Sequence, residues 1–221
     1  IVYSVGLGED TSWDEGIMKR FGLRVWGFDP TPKSIEYVKT NSKLDKTKFL
    51  LTPEGLGTTE GRLKFTKPKN SNFVSMRQGV RDDGGEVIEV PVNKLENWMQ
   101  QFQHSHIDIL KLDIEGSEYD VLEDLISRQW FPMTQLLVEF HQRFFKGDKR
   151  HEEVLRGLLS NGFEILNSEN NQEISFRRSS QITQSKNTLL TQQTQDFLSK
   201  ASEIQKENGF VMIQLLNEGY A

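Results

Sequence analysis

Apolar positions along this chain fall into two patterns, short runs of β-branched and aromatic residues and stretches with helical spacing, and the two alternate. Residues 1–5 (IVYSV) form a strand-like run that stops at Gly6-Leu7-Gly8. Ile17, Met18 and Phe21 then supply a helical stripe, with Ser12 and Glu15 spaced as a capping box and Gly22 as the stop. Residues 24–29 (RVWGFD) give a second strand ending in Asp29. Pro30-Thr31-Pro32 opens a helix packed through Ile35, Tyr37 and Val38, and residues 48–52 read as a third strand. Beyond a turn at 53–57, residues 62–66 and 72–76 are short β pieces, 81–85 (RDDGG) a flexible tip, and 87–92 an alternating strand. Leu95, Trp98, Met99 and Phe102 form a helix stripe in which Trp98 belongs to the core.

The stretch at 107–118 (IDILKLDIEGSE) organises the rest. Ile107, Ile109, Leu110, Leu112 and Ile114 occupy both parities, as in a strand buried on both faces of a parallel sheet. A helix follows through Val121, Leu122 and Leu125, then a strand at 134–140. Next come a helix through Val154, Leu155, Leu158 and Leu159, closed by Gly162, and a strand at 163–166. This alternation predicts an α/β fold with a doubly wound, mostly parallel sheet. Two segments compete for the last strand: 173–177, in a hairpin with 163–166, and the more apolar 210–216. Residues 167–208 are rich in Ser, Thr, Asn, Gln and Glu, with Phe197, Leu198, Ala201 and Ile204 marking one amphipathic helix. We expect one domain over residues 1–178 and a polar C-terminal extension over 179–221, which either donates a final strand or stands outside the sheet.

Charge changes the picture at the central strand. Strand alternation places Lys111, Asp113 and Glu115 on one face, with the two acids at the carboxyl end, where open α/β sheets hold ligands. Charged residues are rarely buried without partners, so the trio is either a structural lysine–carboxylate pair or a catalytic centre. Glu139 and His141 alternate onto one face of the next strand and reach the same end of the sheet. A histidine beside acids is a candidate proton acceptor, though one at a strand end is as often structural.

The first glycine turn supplies a second constellation. Gly6 and Gly8 let backbone approach a ligand, and Asp29, at the end of the next strand, offers a carboxylate to two ribose hydroxyls. Thr11 stands where a dinucleotide-binding turn has its third glycine, and Glu9 and Asp10 occupy the place of a pyrophosphate. A cofactor without phosphates and with a positive charge fits better. S-adenosylmethionine has a ribose for Asp29 and an amino group for Glu9 or Asp10, although acids also favour any helix N-terminus.

Composition narrows the classes. At 221 residues the chain fits one large domain, and the absence of cysteine excludes disulfides, thiolate nucleophiles and cysteine-held metals. A net charge of −5 argues against general nucleic-acid binding. There is no apolar run of membrane-spanning length and no signal-peptide pattern, so a cytoplasmic location is expected, an upstream targeting segment staying open because the first residue is Ile.

Five stretches, 2–14 (VYSVGLGEDTSWD), 25–32 (VWGFDPTP), 54–61 (EGLGTTEG), 109–118 (ILKLDIEGSE) and 136–141 (LLVEFH), resemble the FkbM family of S-adenosylmethionine-dependent methyltransferases. KLDIEGSE is the most specific of them, while Leu7 and the acidic Glu9-Asp10 depart from the family's commoner glycine turn. The resemblance implies a seven-stranded, Rossmann-like class I methyltransferase fold and O-methylation of a sugar or natural-product hydroxyl. On that reading Gly6, Gly8, Asp29 and Pro30 hold the cofactor, with Glu9 or Asp10 near its methionyl end and Leu56 near adenine. Asp113 is the first choice for a base or a metal ligand, Glu139 and His141 the next, with Glu115 and Lys111 completing the cluster. Oxygen and imidazole ligands suit magnesium or manganese. The partner expected is a small-molecule or saccharide acceptor. Two rival readings are an NAD(P)-dependent oxidoreductase and a binding module that keeps the cofactor without turnover.

Overall fold

The computed structural model describes residues 1–40, 43–66, 77–78, 86–144, 149–169 and 172–179. In chain order they form β1 (Val2–Val5), α1 (Ser12–Phe21), β2 (Val25–Phe28), α2 (Pro32–Thr40), β3 (Phe49–Thr52), β4 (Gly55–Leu56), β5 (Gly61–Thr66) and β6 (Arg77–Gln78). There follow β7 (Val87–Asn93), α3 (Leu95–Gln101), β8 (Ile107–Leu112), α4 (Glu118–Ser127), β9 (Met133–Glu139), α5 (Arg150–Ser160), β10 (Phe163–Glu169) and β11 (Glu173–Arg178). The main sheet has seven strands in the order β3-β2-β1-β8-β9-β11-β10, and β11 alone runs antiparallel to its neighbours. This is the doubly wound, mostly parallel sheet that the alternation of elements predicts.

β8 is the central strand. On one face its Leu110 and Leu112 are fully buried among α3, α4 and α5, in a core that includes Trp98, Leu122, Leu158 and Phe176, and Ile107 at the start of the strand is fully buried as well. Its other face differs from expectation, since Ile109 and Lys111 are half-buried. That face shares a register row with Gln135 and Leu137 of β9, and all four residues line a cavity, Ile109 also packing against the cluster that holds Ile17 and Met18 of α1. Trp98 is core, stacked on Phe28 at 3.8 Å with its indole N–H donated to Glu54 at 2.7 Å.

Local signals needed two corrections. The N-terminus of α1 is not closed by a Ser12–Glu15 box: Asp10 Oδ1 accepts the Ser12 N–H at 2.9 Å, and Thr11 takes the cap position. An aspartate two residues upstream forms its own turn with that N–H and also engages the Ser12 hydroxyl. The pieces between β3 and α3 assemble into a second sheet, β4-β7-β5-β6, around Phe65, Val90 and Val92, an organisation that strand patterns alone did not show. The strand at 72–76, the tip at 81–85 and the extension beyond 179, including 210–216, lie outside the described residues.

The hairpin candidate is present in the sheet, where β11 lies between β9 and β10 and contributes Ile174 and Phe176 to the core. Phe176 meets Phe140 and Phe163 edge-on, each at 6.5 Å. Phe176→Ala is expected to cost about 3–5 kcal/mol, read by urea denaturation. A loss below about 1 kcal/mol would show that β11 does not anchor this edge.

Candidate active site

The carboxyl ends of β1, β2, β8 and β9 meet around one cavity of about 880 Å³. At one side is the turn after β1. Gly6 (φ +84°) donates its N–H to the Phe28 carbonyl at 2.9 Å, and Gly8 also has positive φ (+57°). A side chain on Gly6 is excluded, because its Cβ would lie 1.7 Å from the Asp113 carbonyl oxygen. Gly8 has open space around it.

Asp29, 3% exposed, holds this turn in place. Its Oδ2 accepts the N–H groups of Leu7 (2.8 Å) and Gly8 (3.1 Å), and its Oδ1 that of Thr31 (2.8 Å). The carboxylate offered by the sequence to two ribose hydroxyls is thus largely engaged with backbone. A carboxylate has about four lone-pair sites, so one site remains for a ligand. Glu9 and Asp10 line the cavity but have local partners as well: Glu9 pairs with Lys33 at 2.7 Å, and the Ser12 backbone bond holds the Asp10 carboxyl below its ordinary pKa. Pro30 and Leu56 both line the cavity, and Gly55 is tightly packed against Pro30.

Beside the turn, where Gly6 meets the Asp113 backbone, all five residues of the charged cluster come together. Lys111 Nζ lies 3.7 Å from Asp113 Oδ2, so the structural lysine–carboxylate pair is present. His141 Nε2 lies 3.8 Å from Asp113, 3.6 Å from Glu115 and 3.6 Å from Glu139. Glu115 arrives by a route that alternation does not describe, since β8 ends at Leu112 and Glu115 takes φ +52° in the following turn. Arg143, in the short 3₁₀ turn Gln142–Phe144, pairs with Glu115 at 2.8 Å. Asp113, Glu139 and His141 each present one ligand atom, all within 4.8 Å of one another.

Glu118, not singled out in the sequence, supports this cluster from behind. It is fully buried; Oε1 accepts the His141 backbone N–H at 2.8 Å and meets Nδ1 at 3.2 Å, while Oε2 accepts the Gly116 N–H at 2.7 Å. Burial pulls the His141 pKa down, but the bond and charge of Glu118, with Glu115 and Asp113, outweigh it and raise the value. Burial and the Asp113 charge push Glu139 up to about 7. The only signal for Glu118 was an acid starting a helix, which is commonplace.

The sheet order, the single reversed strand, the glycine turn after β1 and the acid after β2 define a Rossmann-like class I methyltransferase fold. A family model described as Methyltransferase FkbM domain matches residues 9–165, and the chain belongs to that family. This sets aside the oxidoreductase reading of the glycine turn. Among solved structures, the FkbM methyltransferase of Methylobacillus flagellatus KT is similar at 15% identity and TM-score 0.48, over 80% of this chain and 42% of that one. The fibrillarin pre-rRNA processing protein of Methanococcus jannaschii is similar at 12% identity and TM-score 0.46, over 81% of this chain and 66% of that one. A Streptococcus pneumoniae protein described as a tRNA methyltransferase, in complex with S-adenosyl-L-methionine, is similar at 12% identity and TM-score 0.42, over 90% of this chain and 81% of that one. The chain therefore spans under half the length of the first and about two thirds of the second. No curated protein matches it. No helix among the described residues is long and apolar enough to cross a membrane.

Asp14, in the first turn of α1, is a second residue that spacing could not distinguish from an ordinary helix-start acid. It is 2% exposed, and burial raises its pKa to about 6 despite the attraction of Lys111. A folded-state pKa above the unfolded value near 3.8 means that its contribution is most favourable below that value and is lost as pH rises through about 6. Asp14→Asn is expected to gain about 2–3 kcal/mol over the wild type at pH 8, with the gain fading toward pH 4. Chemical denaturation across that range checks it. A gain independent of pH would contradict the buried-carboxylate assignment.

Proposed function

We propose that this chain is an S-adenosylmethionine-dependent methyltransferase acting on a hydroxyl of a saccharide or another small polyhydroxylated acceptor. The observation that carries the reading is the joining of a glycine turn and an adjoining carboxylate cluster, backed by His141, along one cavity. The turn fits the cofactor: Gly8 leaves open space, Asp29 keeps a site for a ribose hydroxyl, and Glu9 and Asp10 give the rim a negative potential suited to a cationic ligand. Leu56, 5% exposed, provides an apolar surface for the base. S-adenosylmethionine, when bound there, would supply the methyl carbon as an electrophile, the bonding pair staying with its sulfur.

The protein's part is to align an oxygen with that carbon and to take its proton. Asp113, 32% exposed and at the carboxyl end of β8, is placed to accept the hydroxyl proton. Lys111 offsets its charge, and Glu118 fixes the imidazole of the neighbouring His141. From this point the cavity extends past Trp13 and Arg20 of α1 and Gln135 and Ser175 of the sheet, an aromatic and hydrogen-bonding lining suited to a polyol. Acidic groups along the cavity and a net charge of −5 favour such an acceptor over a nucleic acid.

Asp29→Ala is expected to weaken S-adenosylhomocysteine binding about 10- to 100-fold, by loosening the turn and removing the ribose acceptor. Calorimetry showing wild-type affinity would remove Asp29 from the site. Asp113→Asn should leave that affinity within about threefold and slow methyl transfer about 10²- to 10⁴-fold, measured with labelled cofactor and a panel of oligosaccharides and polyols. Full turnover in a folded Asp113→Asn variant would eliminate the base assignment. Tight cofactor binding by the wild type without transfer to any fraction of a whole-cell extract would favour the binding-module reading.

A further inference from the structure

We infer that Asp113, Glu139 and His141 form a binding site for one hard divalent cation, with Glu118 as its supporting residue. The inference deepens the methyltransferase reading, on which its place beside the acceptor oxygen rests.

The donor set is the first argument. Two carboxylates and an imidazole, at the carboxyl ends of adjacent parallel strands, suit manganese or magnesium, which favour oxygen ligands and accept imidazole. Spacing is the second. An ion with bonds of about 2.1–2.2 Å to ligands at right angles requires them about 3.0 Å apart. The separations from His141 Nε2, 3.8 Å to Asp113 and 3.6 Å to Glu139, exceed that by an amount that small side-chain rotations close. They are also longer than hydrogen bonds, so nothing has locked these groups onto one another.

The third argument is independent of the cluster. His141 is 1% exposed, and its orientation is set by Glu118, which is fully buried and meets both the backbone N–H and Nδ1 of the histidine. A proton held on Nδ1 by that carboxylate leaves the lone pair on Nε2, the atom that points at Asp113 and Glu139. A buried carboxylate behind a histidine whose other nitrogen faces acids is the arrangement that orients metal-ligating imidazoles. Charge agrees with it. Lys111 pairs with Asp113 and Arg143 with Glu115, whereas Glu139, half-buried, has only His141 as an ion-pair partner among the described residues. A cation there would neutralise Glu139 and leave the remaining coordination positions open to the cavity, where a hydroxyl bound to the ion has its pKa lowered.

The test uses the metal alone. The full chain, stripped with chelator, is titrated with Mn²⁺ while free ion is followed by electron paramagnetic resonance, and S-adenosylhomocysteine affinity is measured separately by calorimetry. One Mn²⁺ per chain is expected, weakened at least tenfold by Asp113→Asn and by Glu139→Gln, and about 10- to 100-fold by Glu118→Gln. Glu36→Gln, on the exposed face of α2, should leave it unchanged. Melting curves confirm folding of each variant, and Asp113→Asn, at a part-exposed position, keeps the test open if Glu118→Gln does not fold. A folded wild type that binds no Mn²⁺, or binds it equally well after Asp113→Asn and Glu139→Gln, overturns the site. If Mn²⁺ binds as expected while S-adenosylhomocysteine does not, the cation site stands and the methyltransferase reading fails.

Discussion

Everything at the site depends on how closely the backbone at Gly6 approaches the backbone at Asp113. With φ at +84° and no side chain, Gly6 brings the end of β1 so near to β8 that a Cβ would sit 1.7 Å from the Asp113 carbonyl oxygen. Hydrogen bonds hold the approach from both sides, Gly6 N–H to the Phe28 carbonyl at 2.9 Å and Asp113 N–H to the Val5 carbonyl at 3.0 Å. The glycine turn and the charged cluster are therefore parts of one corner. Any other residue at position 6 would have to adopt a disfavoured backbone conformation and displace the end of the strand that carries Asp113.

Around that corner the fold places charge where burial makes it costly. Asp29 and Glu118 are buried carboxylates, and each is satisfied by backbone N–H donors, so each fixes the shape of a turn as well as a potential. Asp14 is buried with its Oδ1 unpaired among the described residues, and the sheet face at Lys111 stays polar next to it. Raised carboxyl pKa values at Asp14 and Glu139 mark a region where electrostatics oppose stability, a pattern frequent at functional sites. The opposite face of the sheet, with Leu110, Leu112, Leu136 and Val138 buried under α4 and α5, provides the compensating apolar burial.

Much of this was readable from the sequence because strand and helix periods differ. Asp113, Glu139 and His141 could be gathered at one sheet end from alternation and order alone, while the hairpin of β10 and β11 stood as one of two candidates for the last strand. Three things were hidden. Glu115 enters the cluster through a positive φ, which residue identity does not reveal. The partners of Asp29 are backbone atoms, invisible to a motif, so its part in holding the turn was missed behind the ribose contact proposed for it. Glu118 looks like any helix-start acid until α4 docks beneath β9, and pairing of β5 with both β6 and β7 arises from non-local contacts.

The most direct measurement is a crystal structure of the chain with S-adenosylhomocysteine. The expected result places the ribose against Asp29 and the sulfur facing the Asp113 carboxylate across a gap of about 5–7 Å, room for a methyl group and an attacking oxygen in line. A sulfur turned away from Asp113, or a ligand seated elsewhere than between Gly8 and Leu56, would contradict the joining of cofactor and chemistry at this corner.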